Sequence, residues 1–205
     1  RLKMTSEEIT EILRAELKPK RFKHTLGVVD TAREMAIIFG EDEQLAARAG
    51  LLHDNAKAFD LKRMCEIADQ AGLMLTPEER ASAALLHAPV GAYLARARFG
   101  ETDERVINAI RYHTTGRPNM SALEAIVYLA DMIEPNRDAF LGLEDLRVMA
   151  RRDLFAALEM GLGMSNSYVL KRGQTLFERS KKAYDWVRQY NKGRNDYAGR
   201  NASAV

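Results

Sequence analysis

Cysteine is almost absent from this sequence, which excludes disulfide frameworks and cysteine-based metal sites such as zinc fingers. The one thiol among the 205 residues, Cys65, lies among the apolar residues Met64, Ile67 and Ala68. A cysteine in such surroundings packs as a small hydrophobic side chain. Disulfide-bonded cysteines are typical of oxidising compartments, and this chain has a single thiol, so we expect this protein in the cytoplasm.

Long apolar runs are missing as well. No stretch approaches the roughly 20 apolar residues that cross a bilayer. The opening residues Arg1-Leu2-Lys3-Met4 lack the apolar segment of a signal peptide. We therefore expect neither a membrane partner nor secretion.

A strong charge of one sign is also lacking. The formal net charge is only +2, which argues against a general nucleic-acid binder, and we expect no nucleic-acid partner. The charge is uneven, since residues 171–205 hold nine Lys/Arg and three Asp/Glu. This basic section could face a polyanionic ligand, although a solvated helix surface explains such charge more often.

The size and the periodicity of the chain predict one all-α domain. With 46% apolar residues, the chain can bury one core. We predict a single domain over residues 1–190 and a disordered tail over 191–205, which is rich in Asn, Gly, Arg and Ala. Apolar residues recur at helical spacing, and no segment alternates like a half-buried strand. Capping boxes are expected at Thr5/Glu8, Thr76/Glu79 and Ser121/Glu124.

Start and stop signals predict the helix positions. Pro89 is expected to bend or restart the helix that contains His87. The first predicted helix begins after Thr5 and ends at Pro19. The others are predicted over 20–39, 42–53, 60–72, 76–100, 103–112, 121–135 (which includes Asp131), about 144–170 and about 174–190.

The four histidines of the chain suggest a metal site assembled from distant elements. His24, His53, His87 and His113 are separated by 26 to 34 positions, so different helices must carry them. Imidazole with carboxylate suits Fe, Mn, Zn, Co or Ni, and this donor set is typical of catalytic rather than structural sites. An isolated histidine is more often a buried, hydrogen-bonded residue, so the whole set carries the hypothesis.

Two aspartates accompany the histidines. Asp54 directly follows His53, and Asp131 follows the apolar run 125–130. Burying a carboxylate on such a face is costly unless a cation or hydrogen bonds compensate it. The alternative for Asp131 taken alone is a partly exposed carboxylate near a helix end.

Five ordered segments resemble the HD superfamily of metal-dependent phosphohydrolases, which present a histidine, a His-Asp pair and a distant aspartate from helices. Within that superfamily they are similar to the YqeK-type symmetrical dinucleoside-tetraphosphate hydrolases, over about residues 5–190. The segments are RFKH (21–24), LLHDNAK (51–57), LHAPVG (86–91), IRYHTTG (110–116) and YLADMIEPNR (128–137).

The resemblance implies an HD-domain helical bundle that hydrolyses diadenosine tetraphosphate to two ADP, with iron as the usual metal and Co, Mn, Ni or Zn as alternatives. It implies His24, His53, Asp54 and Asp131 as metal ligands. A homodimer is a further possibility. The substrate-binding residues that the resemblance implies are Arg21, Asp54, Asn55, Ala56, Lys57, His87, His113, Thr114, Tyr128, Asp131, Arg137 and, in a segment without a distinctive motif, Leu170, Lys171, Arg172, Gly173, Gln174 and Thr175.

The same residues make a workable mechanism for phosphoanhydride cleavage. A divalent or trivalent ion with open positions lowers the pKa of a coordinated water from 15.7 towards about 7. Cations and hydroxyls then stabilise the charge that develops on the phosphoryl oxygens. His87 and His113 could hold a second metal or act as general acids, and we favour a role behind the metal ligands or as acids, because only one carboxylate pair is available. The candidate catalytic residues are Asp54, Lys57, His87 and His113, with Arg21, Arg137 and Thr114 as further donors to the phosphates.

Two rival functions stay open from the sequence. One is another HD phosphohydrolase, acting on nucleoside mono- or triphosphates or on guanosine alarmones. The other, of a different class, is a metal-dependent nucleotide sensor that binds without turnover. The role of Arg117, in a stretch that departs from the family pattern, is open as well.

Overall fold

The computed structural model describes residues 2–202, and the side chains of residues 2–196. In this range the chain forms eleven α-helices and one 3₁₀ turn without a strand, so the predicted all-α class is confirmed. The helices are α1 (Ser6–Glu16), α2 (Pro19–Phe39), α3 (Glu43–Leu52), α4 (Leu61–Gln70), α5 (Pro77–Ala81), α6 (Ala83–Ala97), α7 (Glu104–Tyr112), α8 (Ala122–Ile133), α9 (Leu143–Met149), α10 (Leu154–Lys171) and α11 (Glu178–Ala202), with the 3₁₀ turn at Asn55–Ala58.

Helix α8 is the centre of the core. It packs against α2, α7 and α10, and its residues from Leu123 to Ala130 are all buried. A helix that is apolar on every side is stable only when neighbours surround it, as they do here. None of the helices in residues 2–202 is long and apolar enough to span a membrane.

A smaller apolar cluster attaches the 3₁₀ turn to the rest of the bundle. It joins Ala56 of the turn to Met64 and Ala68 of α4 and to Leu86 and Val90 of α6, all of them buried. This packing fixes the segment that follows the His-Asp pair against the helix that carries His87.

Three local predictions differ from the structure. Helix α6 continues through Pro89 rather than restarting, because both sides of the proline pack into the two apolar clusters. The predicted helix over 144–170 divides into α9 and α10, since Asp153 accepts from the N–H of Ala156 and caps a new start. At α8 only half of the capping box forms: Ser121 accepts from the Glu124 N–H, but the Glu124 carboxylate binds Arg117 instead.

Helix α11 extends to Ala202, into the segment from residue 191 for which the sequence predicts disorder. Asn191 donates from Nδ2 to the Phe155 carbonyl at 3.0 Å and to Glu159 at 2.8 Å, and Arg194 pairs with Asp153 at 2.8 Å. These polar contacts hold α11 against α10, although the local composition is unfavourable for a helix. The part of the predicted tail over 203–205 lies outside the described residues.

A buried carboxylate fastens the start of the chain to the bundle. Glu101 is fully buried and accepts from Lys3 Nζ at 2.9 Å, from Arg48 Nε, and from the N–H groups of Thr102 and Asp103. Arg48 is itself only 8% exposed. The carboxylate and this guanidinium therefore depend on each other for their compensation.

We predict that Glu101→Ala lowers the free energy of unfolding by about 3–5 kcal/mol, because it leaves the Arg48 charge buried without its partner. Urea denaturation of the purified variant measures this loss. The matched control is Glu66→Ala, which removes the exposed 2.9 Å pair with Arg63 and should change stability by no more than about 0.5 kcal/mol. Equal losses in the two variants would contradict this account of Glu101.

Candidate metal centre

Helix ends bring the four histidines together. His53 and His113 directly follow the last residues of α3 and α7, His24 lies in the second turn of α2, and His87 lies within α6. All four are buried. Neighbouring rings stand 4.9–5.4 Å apart between centroids in edge-to-face arrangements. Residues far apart in the sequence therefore form one cluster, as predicted.

Each of the four rings uses its Nδ1 atom for a hydrogen bond to an acceptor. His53 Nδ1 lies 2.7 Å from the Gly50 carbonyl, and His113 Nδ1 lies 2.7 Å from that of Ile110. Because these oxygens can only accept, the proton of each neutral ring is on Nδ1 and the lone pair is on Nε2. The two remaining contacts are His87 Nδ1 to the Ala83 carbonyl at 3.1 Å and His24 Nδ1 to Glu134 Oε1 at 3.0 Å.

Two imidazole lone pairs and two carboxylates define a principal metal position. His24 Nε2 lies 2.9 Å from Asp131 Oδ1, and His53 Nε2 lies 3.3 Å from Asp54 Oδ2. The ligand atoms of His24, His53 and Asp131 all lie within 4.8 Å of one another. The buried Nε2 atoms of both histidines have no hydrogen-bond partner. Orphaned imidazole nitrogens facing two carboxylates fit a bound cation.

The other oxygen of Asp54 faces the remaining two histidines. Asp54 Oδ1 lies 3.3 Å from His87 Nε2 and 3.7 Å from His113 Nε2. These two nitrogens are 3.0 Å apart, and the Thr114 hydroxyl lies within 3.3 Å of both. The ligand atoms of His53, Asp54 and His113 also lie within 4.8 Å of one another. Asp54 thus stands between two groups of nitrogen donors.

The pKa values fit a carboxylate-rich site that binds a cation. Burial alone would raise the pKa of Asp54, but the three histidines around it hold that pKa well below the ordinary range. Burial would also raise the pKa of Asp131, but the adjacent His24 ring and the Arg137 charge outweigh it and lower the pKa. Both aspartates are therefore ionised at neutral pH. Burial lowers the pKa of His87 to about 4, so this ring is neutral there.

Two arginines border the carboxylates. Arg21 Nη1 donates to Asp54 Oδ2 at 2.9 Å. Arg137 donates to the Asp131 carboxylate at 2.7 Å and to the Asp131 backbone carbonyl at 2.6 Å. Burial lowers the pKa of Lys57, and this lysine makes no ion pair within the described part of the chain. The predicted cations therefore lie near the site, but the two arginines are already engaged with metal-ligand candidates.

Glu134 is a residue that the sequence analysis missed. It is fully buried, holds His24 Nδ1 through Oε1, and accepts from the backbone N–H and the side-chain amide of Asn136 at 2.6 and 2.9 Å through Oε2. Gly27 leaves it room, since a Cβ there would lie 2.1 Å from Oε2. The only sequence signal was its place within the 128–137 segment, three residues after Asp131.

The centre opens into a large cleft of about 1250 Å³. Asp131 is 18% exposed and reaches the cleft together with His24, while His53 and Asp54 lie deeper. The volume exceeds the roughly 300–1,000 Å³ that is usual for a small-molecule pocket. The predicted substrate residues that line it are Arg21, His113, Thr114, Tyr128, Asp131, Arg137 and Lys171.

Other predicted substrate residues do not line this cleft. Asn55 donates its amide to the Leu52 and Gly91 carbonyls, and Ala56 is fully buried in the smaller cluster. Arg172 donates to the Tyr168 hydroxyl at 3.0 Å, and Gly173 has a φ of +69° in the turn after α10. Leu170, Gln174 and Thr175 are likewise not among the lining residues. Tyr128, in contrast, does line the cleft. It is buried in the cleft wall and donates to the Ser165 hydroxyl, and burial raises its pKa to about 12.

Comparison with known proteins places this arrangement among HD proteins. The HD domain family model matches residues 21–136. The symmetrical bis(5'-nucleosyl)-tetraphosphatase of Halalkalibacterium halodurans is 39% identical and covers 89% of this chain and 96% of its own length. The enzyme of the same name from Bacillus subtilis is 38% identical, with 90% and 98% covered.

A solved structure agrees with the sequence relatives on the fold. The crystal structure of a predicted HD superfamily hydrolase involved in NAD metabolism, from Clostridium acetobutylicum, is 41% identical to this chain. It superposes with a TM-score of 0.88 and covers 92% of this chain and 100% of its own. The likeness thus extends beyond the metal centre to the whole helical arrangement.

We predict that Glu134→Gln weakens metal binding about 10- to 100-fold. A glutamine has one acceptor oxygen, so its NH₂ must face either the Asn136 N–H or His24 Nδ1, and the second choice moves the His24 proton to Nε2. Metal titration of the apoprotein by calorimetry measures the affinity. Unchanged metal affinity would sink this role for Glu134.

Gly27→Ala should weaken metal binding in the same way, because its new methyl group displaces the Glu134 carboxylate. The matched control is Gly193→Ala in α11, where nothing lies within 4 Å. There, alanine should stabilise the helix by up to about 1 kcal/mol and leave the metal affinity unchanged.

Proposed function

This chain belongs to the HD domain family, and we propose that it is a metal-dependent hydrolase that cleaves dinucleoside tetraphosphates symmetrically, releasing two ADP from diadenosine tetraphosphate. One observation carries the proposal: four histidine Nε2 atoms and two ionised aspartates converge beside a cleft larger than a mononucleotide needs. The similarity to symmetrical tetraphosphatases over nine-tenths of the chain supports the reaction class.

His24, His53, Asp54 and Asp131 would hold the principal ion. When bound, such an ion supplies Lewis acidity and activates water as a nucleophile at neutral pH. Two imidazoles with two carboxylates suit iron, and also Mn, Co, Ni or Zn. Iron as the ion, a cytoplasmic location and a homodimer stay predictions from the sequence.

The chain's own cations orient and stabilise the polyphosphate. Arg137 and Arg21 stand beside the ligand carboxylates, so phosphate oxygens that approach the centre meet guanidinium donors on both sides. Lys171 lines the same cleft, and the Thr114 hydroxyl can donate to a phosphoryl oxygen. Such fixed donors act on the charge that develops during phosphoryl transfer, which is where they accelerate the reaction.

We further propose that His87, His113 and Asp54 would hold a second ion beside the principal one. The reason is the polarity of the hydrogen bonds: both Nδ1 atoms donate to carbonyls, so two lone pairs face each other at 3.0 Å. These two nitrogens and Asp54 Oδ1 would hold a cation, which would remove that repulsion. This assignment replaces the general-acid role that the sequence analysis favoured for the two histidines.

The rival functions lead to different products. A hydrolase of nucleoside mono- or triphosphates releases nucleoside or inorganic phosphate, and a sensor releases nothing. The convergence of buried histidines and aspartates favours hydrolysis over binding without turnover, and a cleft of about 1250 Å³ has room for a long polyphosphate.

We expect the purified protein, loaded with Fe, Mn or Co, to convert diadenosine tetraphosphate into ADP as its only product. Anion-exchange chromatography of the reaction mixture separates ADP, AMP and ATP, and a chelator should abolish turnover. AMP together with ATP, or turnover only of mononucleotides, would return the protein to the wider HD class.

Variants of two histidines separate the ion positions. His53→Ala should remove the principal ion and all activity, while His113→Ala should lose one of two bound ions and most of the rate. Elemental analysis of the purified variants gives the metal-to-protein ratio. A wild-type ratio near one that His113→Ala leaves unchanged would contradict the second ion and restore the acid role.

A further inference from the structure

The loop 134–142, between α8 and α9, exposes apolar side chains at the rim of the cleft. Phe140 is 37% exposed and Leu141 is 94% exposed, and both line the cleft. Tyr168 on α10 lines it too and is 61% exposed. Large apolar side chains that gather beside a polar cleft usually mark a surface that a ligand covers.

The beginning of this loop is fixed to the metal centre. Asn136 donates twice to Glu134, which holds His24, and Arg137 donates twice to Asp131. Phe140 follows Arg137 by three residues, so its Cα lies within about 11 Å of the arginine's Cα. A nucleoside whose phosphates lie at Arg137 can therefore reach the Phe140 ring.

The end of the loop is fixed to α10. Gly142 has a φ of +87°, and a Cβ there would lie 2.5 Å from the terminal carbon of Met164. Met164 lies four residues before Tyr168, so the two stack on one face of α10 about 6 Å apart along its axis. Met132 and Met160 also line this part of the cleft. Thioethers are polarisable and pack well against aromatic rings.

We propose that Phe140 and Leu141 form the platform for the base of the second nucleoside of the substrate. The family resemblance implies the first nucleotide at residues 170–175, of which Lys171 lines the cleft together with Tyr168. A tetraphosphate cleaved at its middle bond then has one half on α10 and the other on the loop, with its central phosphates at the metal centre. This inference rests on the proposed function and assigns a role that the family motifs leave open.

The charges at the cleft favour a nucleotide as the occupant. Lys20, Arg21 and Arg137 line the same cleft as the apolar rim, and each is paired with a carboxylate, so charged donors are continuous with apolar side chains. Lys20 pairs with Asp138 of the loop at 3.0 Å, which brings the start of α2 against it. A ligand with anionic phosphates and a flat aromatic base matches this division.

The test compares two ligands that differ by one nucleoside. In the metal-loaded enzyme, the double variant Phe140→Ala/Leu141→Ala should raise the KM for diadenosine tetraphosphate about 5- to 150-fold, the range for loss of one stacked base. The inhibition constant of adenosine 5'-tetraphosphate, which has a single nucleoside, should stay unchanged. Phe140→Trp, which keeps an aromatic face, should preserve the wild-type KM.

The matched control is Val148→Ala in α9, which removes an exposed apolar side chain (55% exposed) that does not line the cleft. It should change neither constant. An unchanged KM in the double variant, or an equal rise in both constants, overturns the assignment. Failure of the wild-type enzyme to form ADP overturns the proposed function itself, so the two failures are distinguishable.

Discussion

The hydrogen bond from each histidine Nδ1 is the contact on which the whole centre depends. Three of these bonds go to carbonyls of the ring's own helix. At the ends of α3 and α7 these carbonyls belong to the last turn, where no intrahelical N–H remains to satisfy them. The helix termini therefore select the tautomer that presents Nε2 to the metal. His24 differs, since its Nδ1 atom lies against the side chain of Glu134 rather than a backbone carbonyl.

Burying two carboxylates beside four imidazoles lowers the stability of the folded chain. Two ionised aspartates stand among buried imidazoles, and each pairs with one arginine, Asp54 with Arg21 and Asp131 with Arg137. The neighbouring core is correspondingly rigid, because α8 is buried on every side up to the residue before Asp131. A cation that binds the folded chain but not the unfolded chain stabilises the folded state by mass action. Folding and metal binding are therefore coupled.

The sequence was most informative where one local interaction decides the structure. Thr5/Glu8 and Thr76/Glu79 form the predicted capping boxes, since each pairs residues within one turn. The Glu124 carboxylate binds Arg117 instead, and the persistence of α11 beyond residue 190 depends on Asn191 and Arg194. Partners outside the same helical turn, such as these, have no signature in local composition. For the same reason Glu134 was missed: its role depends on a glycine of α2 more than a hundred positions away.

The segment from Asp131 to Phe140 joins the metal centre to the substrate cleft. Within ten residues it contributes a metal-ligand candidate, the carboxylate that orients His24, and an arginine that faces the phosphates. The proposed base platform comes next in the chain. Since the helix, the Asn136 turn and the Arg137 contacts hold the first part of this segment, its length would set the distance between the reacting phosphorus and the base in the proposed function. Symmetrical cleavage requires a fixed spacing of this kind, because only the distance from base to metal distinguishes the middle phosphoanhydride bond from the outer ones.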